Sequence, residues 1–221
     1  MTRTVLLCIL MFVSTGCASI PFQETVLVPI GSGDPRTLVE RFQKNMPASY
    51  HLLNTIVIEY AWRKFTGIGF VDIDTRNKQF KVVCLNPMGV KLFELSGDQN
   101  KTTTHYAIPA LTKNGDVATA IGDDIRRIFF DPVPSSDARI GKGKYKIRFQ
   151  QPFEPGSMEY VFGGEVPDLI EKNYYGNDGI VWRTSYYEYR DWDGMRFPQG
   201  IIFHQYQYGY RLIIRVKEIT S

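Results

Sequence analysis

Apolar and polar residues alternate with a period of two in short runs from Leu52 to the C-terminus, the pattern of half-buried strands. Ile56, Ile58 and Tyr60 share one side of the first run. Ile68 and Phe70 share one side of the second, which Gly67 and Gly69 interrupt. Phe80, Val82 and Cys84 alternate with Lys81, Val83 and Leu85; Val90 and Leu92 alternate with Lys91 and Phe93. Turn residues separate the runs at 75–78, 86–89 and 96–100, so the links read as hairpins. Further runs lie at 102–108, 142–150, 158–162, 181–189, 201–206 and 210–219, giving about ten strands in an antiparallel meander. Residues 163–179, with their Gly, Pro and Asn, predict no clear element.

Two stretches switch to the helical period. After Asp34-Pro35, a capping residue followed by a proline suited to the first helical position, Leu38, Val39, Phe42 and Met46 fall on one face. After Asp116, Val117, Ala120, Ile121, Ile125, Ile128 and Phe129 form a second stripe. A sheet this long cannot stay flat, and two striped helices need an apolar surface to cover. The pattern therefore predicts a mainly β fold with α-helices: a strongly curved sheet packed on its helices, its interior either filled core or lined cavity.

The first residues carry a different signal. Arg3 precedes the apolar run Val5–Val13, which is too short for a permanent bilayer span and has the size of a signal-peptide core. Ser14-Thr15-Gly16-Cys17 follows, resembling the bacterial lipoprotein signal, in which the cysteine is acylated and becomes the new N-terminus. The alternative is an ordinary secretory signal cleaved near Ala18. The expected organisation is a signal over residues 1–16, a lipidated N-terminus and tether over 17–33, and a single domain over 34–221. Ala18, rather than aspartate, after the cysteine points to the outer membrane where the enterobacterial sorting rule applies.

Composition narrows the chemistry. Of 26 basic and 23 acidic residues, only Arg3 lies in the signal, so the remainder carries 25 against 23. That balance, with the basic residues scattered, gives no reason to expect nucleic acid as a partner. Cys84 is the one cysteine outside residues 1–17, which leaves no intrachain disulfide, and it reads as a small buried hydrophobe. His51, His105 and His204 are isolated, Asp123 and Asp124 diverge on a helix, and Asp191 and Asp193 bracket Trp192 in a turn. Gly141-Lys142-Gly143-Lys144 lacks phosphate-loop spacing. No enzyme, metal site or cofactor is expected.

The remaining singular feature is the turn Asn86-Pro87-Met88-Gly89 between two apolar strands. The stretch Lys81–Leu95 resembles the signature region of the LolB family of outer-membrane lipoproteins: an apolar strand, Asn-Pro-Leu-Gly, and a second alternating strand. Arg196–Phe203 followed by Tyr210–Lys217 is similar to that family's closing hairpin. The order of elements covers residues 17–135 and 196–219, while 136–195 carry little of the resemblance.

The resemblance implies an unclosed, half-barrel antiparallel sheet with helices over its open side and a hydrophobic cavity for acyl chains, in a monomer. Its partners would be acylated lipoproteins or lipids, a LolA-type periplasmic carrier and the outer membrane, on whose periplasmic face the chain would sit. Asn86, Pro87, Met88 and Gly89 would form a membrane-insertion loop, Met88 standing where that family has an exposed leucine; the other reading folds Met88 into the core. Ile58, Phe70, Val82, Leu92, Leu212 and Ile214 are the candidate cavity lining, with plain core as their alternative. A second functional reading keeps the fold but makes the chain a scaffold or accessory lipoprotein in another lipid or glycolipid pathway.

Overall fold

The computed structural model describes residues 20–112 and 116–221; the signal segment and Cys17 lie outside them. Among the described residues, twelve strands form one antiparallel sheet. The first wing comprises β1 (Ser49–Tyr60), β2 (Arg63–Asp74), β3 (Gln79–Leu85), β4 (Lys91–Gly97) and β5 (Thr102–Ala107). The second comprises β6 (Arg139–Lys142), β7 (Lys146–Phe153), β8 (Gly156–Gly163), β9 (Asp168–Gly176), β10 (Gly179–Trp192), β11 (Met195–Gln205) and β12 (Tyr210–Thr220). Sheet order is β5-β4-β3-β2-β1-β12-β11-β10-β9-β8-β7-β6. The chain thus walks outward from β1 to one edge, crosses to the other edge, and walks back until β12 pairs with β1. The edges β5 and β6 do not pair, so the sheet is strongly curved and unclosed, as expected.

Three helices serve the concave side. α1 (Pro35–Lys44) is capped by Asp34, whose carboxylate accepts from Thr37 N at 3.3 Å, and it buries Val39 and Phe42. The Phe42 ring packs edge-on against Phe162 of β8 and Tyr189 of β10. α2 (Pro109–Thr112) is one turn. α3 (Val117–Phe129), capped by Asp116, makes the crossing. It is about 20 Å long at 1.5 Å per residue. It touches β5, where Arg126 Nη2 donates to Thr102 Oγ1, and it also meets β10, where Tyr186 donates to Ile128 O. On a flat sheet β5 and β10 would stand about 33 Å apart, seven spacings of ~4.8 Å. Only curvature brings both within reach of this helix.

Three expectations change. The unassigned stretch 163–179 contains β9. Phe70 does not point inward: it is 46 % exposed, and the inward positions of β2 are Gly67, Gly69, Val71 and Ile73. Two of those positions are glycine because neighbouring side chains cross them. A Cβ on Gly69 would lie 2.5 Å from Asn54 Oδ1, and one on Gly67 would lie 2.8 Å from Cys84 Sγ. The apolar parity of Ile68 and Phe70 therefore marks the convex face.

The third change concerns the tether. Residues 20–33 are not free of the body; much of the segment lies along the sheet. Phe22 is buried on the convex face, stacked on Tyr187 and covered by the Arg215 guanidinium at 4.5 Å. Gly200 makes the seat, since a Cβ there would come within 2.4 Å of the Phe22 ring. Arg215 donates to Pro21 O at 2.8 Å, Gln23 N to Glu188 Oε1 at 2.9 Å, and Ile30 N to Lys144 O at 2.8 Å. The segment is a strap from β12 to the β6–β7 turn, and then it enters α1. Phe22→Ala should lower unfolding free energy by about 3 kcal/mol in urea denaturation, the lower end for a buried aromatic. It should also open residues 20–30 to limited proteolysis.

Candidate functional site

The hairpin tip between β3 and β4 is built rigidly. Pro87 presets its backbone at the second position of a turn closed by Gly89 N donating to Asn86 O at 2.9 Å. Gly89 has φ +82°, a left-handed conformation natural to glycine. The Asn86 side chain accepts from Met88 N at 3.0 Å and Val90 N at 2.9 Å, and Asn86 N donates to Val90 O at 2.9 Å. Every polar feature of the turn serves its shape. At its tip Met88 is 88 % exposed and touches no core.

Met88 is not alone at that end. Strand directions alternate, so the turns β1–β2, β3–β4, β7–β8, β9–β10 and β11–β12 all fall on one rim of the sheet. Trp62, 83 % exposed, tops the first turn; Val90 flanks Met88; Tyr206 and Tyr208 occupy the last. The Arg63 guanidinium lies 4.9 Å from the Trp62 ring centre. The opposite rim is more polar, with Arg76-Asn77-Lys78, Asp98–Lys101 and Asp193 in its turns, although Tyr145 and Val166 are exposed there. The asymmetry was readable in principle: an aromatic at a turn centre, where polar residues serve the backbone better, is out of place.

The concave side is partly filled. Beneath α1 and α3, Phe42, Tyr50, Phe129, Leu169 and Phe197 close the middle to a gap of about 20 Å³. A cavity of about 290 Å³ lies between α2–α3 and β4–β5, walled by Phe93, Leu95, Leu111, Val117 and Ile121. A second, of about 500 Å³, lies between α3 and β8–β10. Val82, Leu92 and Ile214 are buried core, Leu212 packs against that core, and Ile58 is half-buried. None of the six candidate lining residues borders either cavity. Periodicity reports which strand face is inward, but a cavity depends on where the helices leave space.

Two ionisable groups lie inside. Asp124 of α3 accepts from the Tyr210 hydroxyl and from Arg127 Nη1 at 2.9 Å; burial outweighs both and raises its carboxyl to about 6. Lys172 of β9, 2 % exposed, donates to Phe130 O at 2.7 Å, and burial pulls its ammonium down to about 7. It belongs to the stretch that periodicity left unassigned. Cys84 is buried, and its thiol is pushed up to about 11. Among the described residues no group of three His, Cys, Asp or Glu is placed to hold a metal ion. Nor is any helix among them long and apolar enough to cross a membrane.

Comparison with known structures identifies the architecture. A LolA superfamily protein from Nitrosomonas europaea superposes with a TM-score of 0.55 at 12 % identity, covering 86 % of this chain and 94 % of its own. The chain shares the fold of this LolA superfamily protein. A provisionally named outer membrane lipoprotein-sorting protein domain from Vibrio parahaemolyticus gives 0.53 at 8 % identity, covering 83 % and 90 %. No family model and no curated protein matches the sequence. At identities this low the likeness is one of fold.

Lys172 makes stability depend on pH with a definite sign. The unfolded chain holds this proton up to about 10.5 and the folded chain only to about 7, so the unfolded state binds more protons between them. Stability should therefore rise with pH from about 7 to 9.5 in denaturant titrations. Asp124 acts oppositely below that window: its raised carboxyl contributes stability that is lost as pH rises through about 6. Lys172→Met should raise the melting temperature at pH 6 by several degrees and flatten the rise above 7.

Proposed function

We propose that this chain is a lipid-handling lipoprotein of the cell envelope, not an enzyme. It is acylated at Cys17, holds acyl groups of lipoproteins or lipids on the concave side of its half-barrel, and presents the Asn86-Pro87-Met88-Gly89 hairpin to the outer membrane. The observation that carries the reading is the exposed Met88 on a turn whose hydrogen bonds hold it outward. A bare apolar side chain on a rigid prong gains nothing in water. Entering an interface, an apolar side chain of this size gains about 1.5–3 kcal/mol when fully buried. Trp62, Tyr206 and Tyr208 on the same rim suit the headgroup level, where amphipathic rings settle. Acyl chains cannot be left in water during transfer, at roughly 0.8 kcal/mol per CH2, so a cavity must be brought against the membrane. The 290 Å³ cavity is walled by Phe93, five residues beyond Met88 on the same hairpin. A LolA-type carrier is the proposed donor.

The closed middle of the concave side favours a second reading, in which the same fold serves as a scaffold or accessory in another lipid or glycolipid pathway. Transfer of an acylated lipoprotein from a LolA-type carrier to the soluble body separates the two. Transfer supports the first reading, and its failure with a folded protein leaves the second.

Met88→Glu should cut partitioning onto phospholipid vesicles about tenfold or more, the equivalent of about 1.4 kcal/mol, and impair delivery while leaving acyl binding intact. Met88→Leu should retain both. An equal loss of folding stability in Met88→Glu would show the side chain to be part of the core.

A further inference from the structure

The cavity of about 500 Å³ between α3 and β8–β10 has a chemistry of its own. Two rows of side chains cross its sheet wall in register. The deeper row is Tyr160 and Lys172, with Thr184 next in register beyond the lining; the row nearer the exposed rim is Met158, Tyr174 and Trp182. Phe153 packs on Tyr174 at 5.9 Å between ring centres, and Tyr174 stacks on Trp182 at 6.0 Å, so the upper wall is a continuous aromatic surface.

The polar row is short of partners. Lys172 has three N–H donors and one protein acceptor, Phe130 O. Among the described residues no carboxylate lies within 4.0 Å of its Nζ. Asp131 acts on Lys172 through its charge from beyond hydrogen-bond range and is itself held by Lys78 at 2.9 Å. The Thr184 hydroxyl, beside Lys172 in register, is buried without a partner. On the opposite wall Arg126 and Arg127 are already engaged by Asp123 and Asp124. Burial drives such a lysine toward its neutral amine unless an anion meets it and holds the proton, and here it lies in the wall of a cavity large enough for one.

We propose that this cavity binds a single-chain amphiphile with an anionic head, the head on Lys172 Nζ and the chain along Trp182, Tyr174 and Phe153 toward the rim. The apolar row nearer the rim and the cationic floor match the two ends of such a molecule. The choice of an amphiphile rests on the lipid-handling reading, whereas the charge requirement rests on Lys172 alone. Dodecanoate and dodecyl phosphate share the required chemistry, and dodecanol lacks the charge.

Displacement of a fluorescent fatty-acid probe measures affinity for all three without a carrier or membrane. Wild-type protein should bind at least one of the anions ten times or more tighter than the alcohol, and whichever is tighter names the head group. Lys172→Met should erase that preference, weakening the anion about tenfold and leaving the alcohol unchanged. Equal affinity for anion and alcohol in the wild type, or binding of none of them, overturns the proposal and needs no variant to fold. So does a folded Lys172→Met protein that still prefers the anion. Lipoprotein transfer without anion preference sinks this site and leaves the proposed function; anion preference without transfer does the reverse.

Discussion

A sheet of twelve strands with one apolar face must curl around something, and here it curls around α3. The helix is short compared with the sheet it crosses, and its apolar stripe meets strands from both wings. Its hydrogen bonds to Thr102 on one side and from Tyr186 on the other hold the wings at a fixed approach. The rest follows from that span. The edges stop short of pairing, the middle fills with Phe42, Phe129 and Phe197, and space remains to either side of the helix. The two cavities are what is left when one straight rod closes a curved surface.

The same constraint separates what is rigid from what is available. Strand ends converge on one rim, and there the turns carry Trp62, Met88, Tyr206 and Tyr208 without a protein surface to cover them. The opposite rim carries mostly the usual polar turn residues. Under the proposed function, the more apolar rim is the face that this half-barrel turns toward a bilayer. Lys172 sits in the cavity beside that helix, a buried lysine where a methionine would pack with less cost. Such a residue is more readily explained by a ligand than by stability.

Much of this was legible in the residues and some was not. Asp34-Pro35 and Asp116 marked both long helices because capping is local chemistry. Met88 was identifiable because Asn86, Pro87 and Gly89 each have one conformational role in a turn. Phe70 was misread because hydrophobic parity assumes that bulk faces inward. In β2 the inward positions had to be glycine where Asn54, Ile56 and Cys84 cross them. Lys172 was missed because the limits of β9 were unclear, and without them its parity had no meaning. The strap was read as a linker because Phe22 has no periodic company. Its seat is formed by Gly200, Tyr187 and Arg215, residues far away in sequence.

That seat sets the length of a leash. If Cys17 carries the lipid, it lies four residue steps from Pro21, whose carbonyl is pinned to Arg215 on β12. Four residues reach at most about 14 Å. Arg215 lies in register with Thr55, five residues short of the rim end of β1, or about 17 Å along the strand. Reach and depth are nearly equal. Acyl chains and apolar rim could then share one bilayer surface only with the body drawn close against it. A pendulum on a long cord would become a hinged flap, with one posture and little freedom to swing.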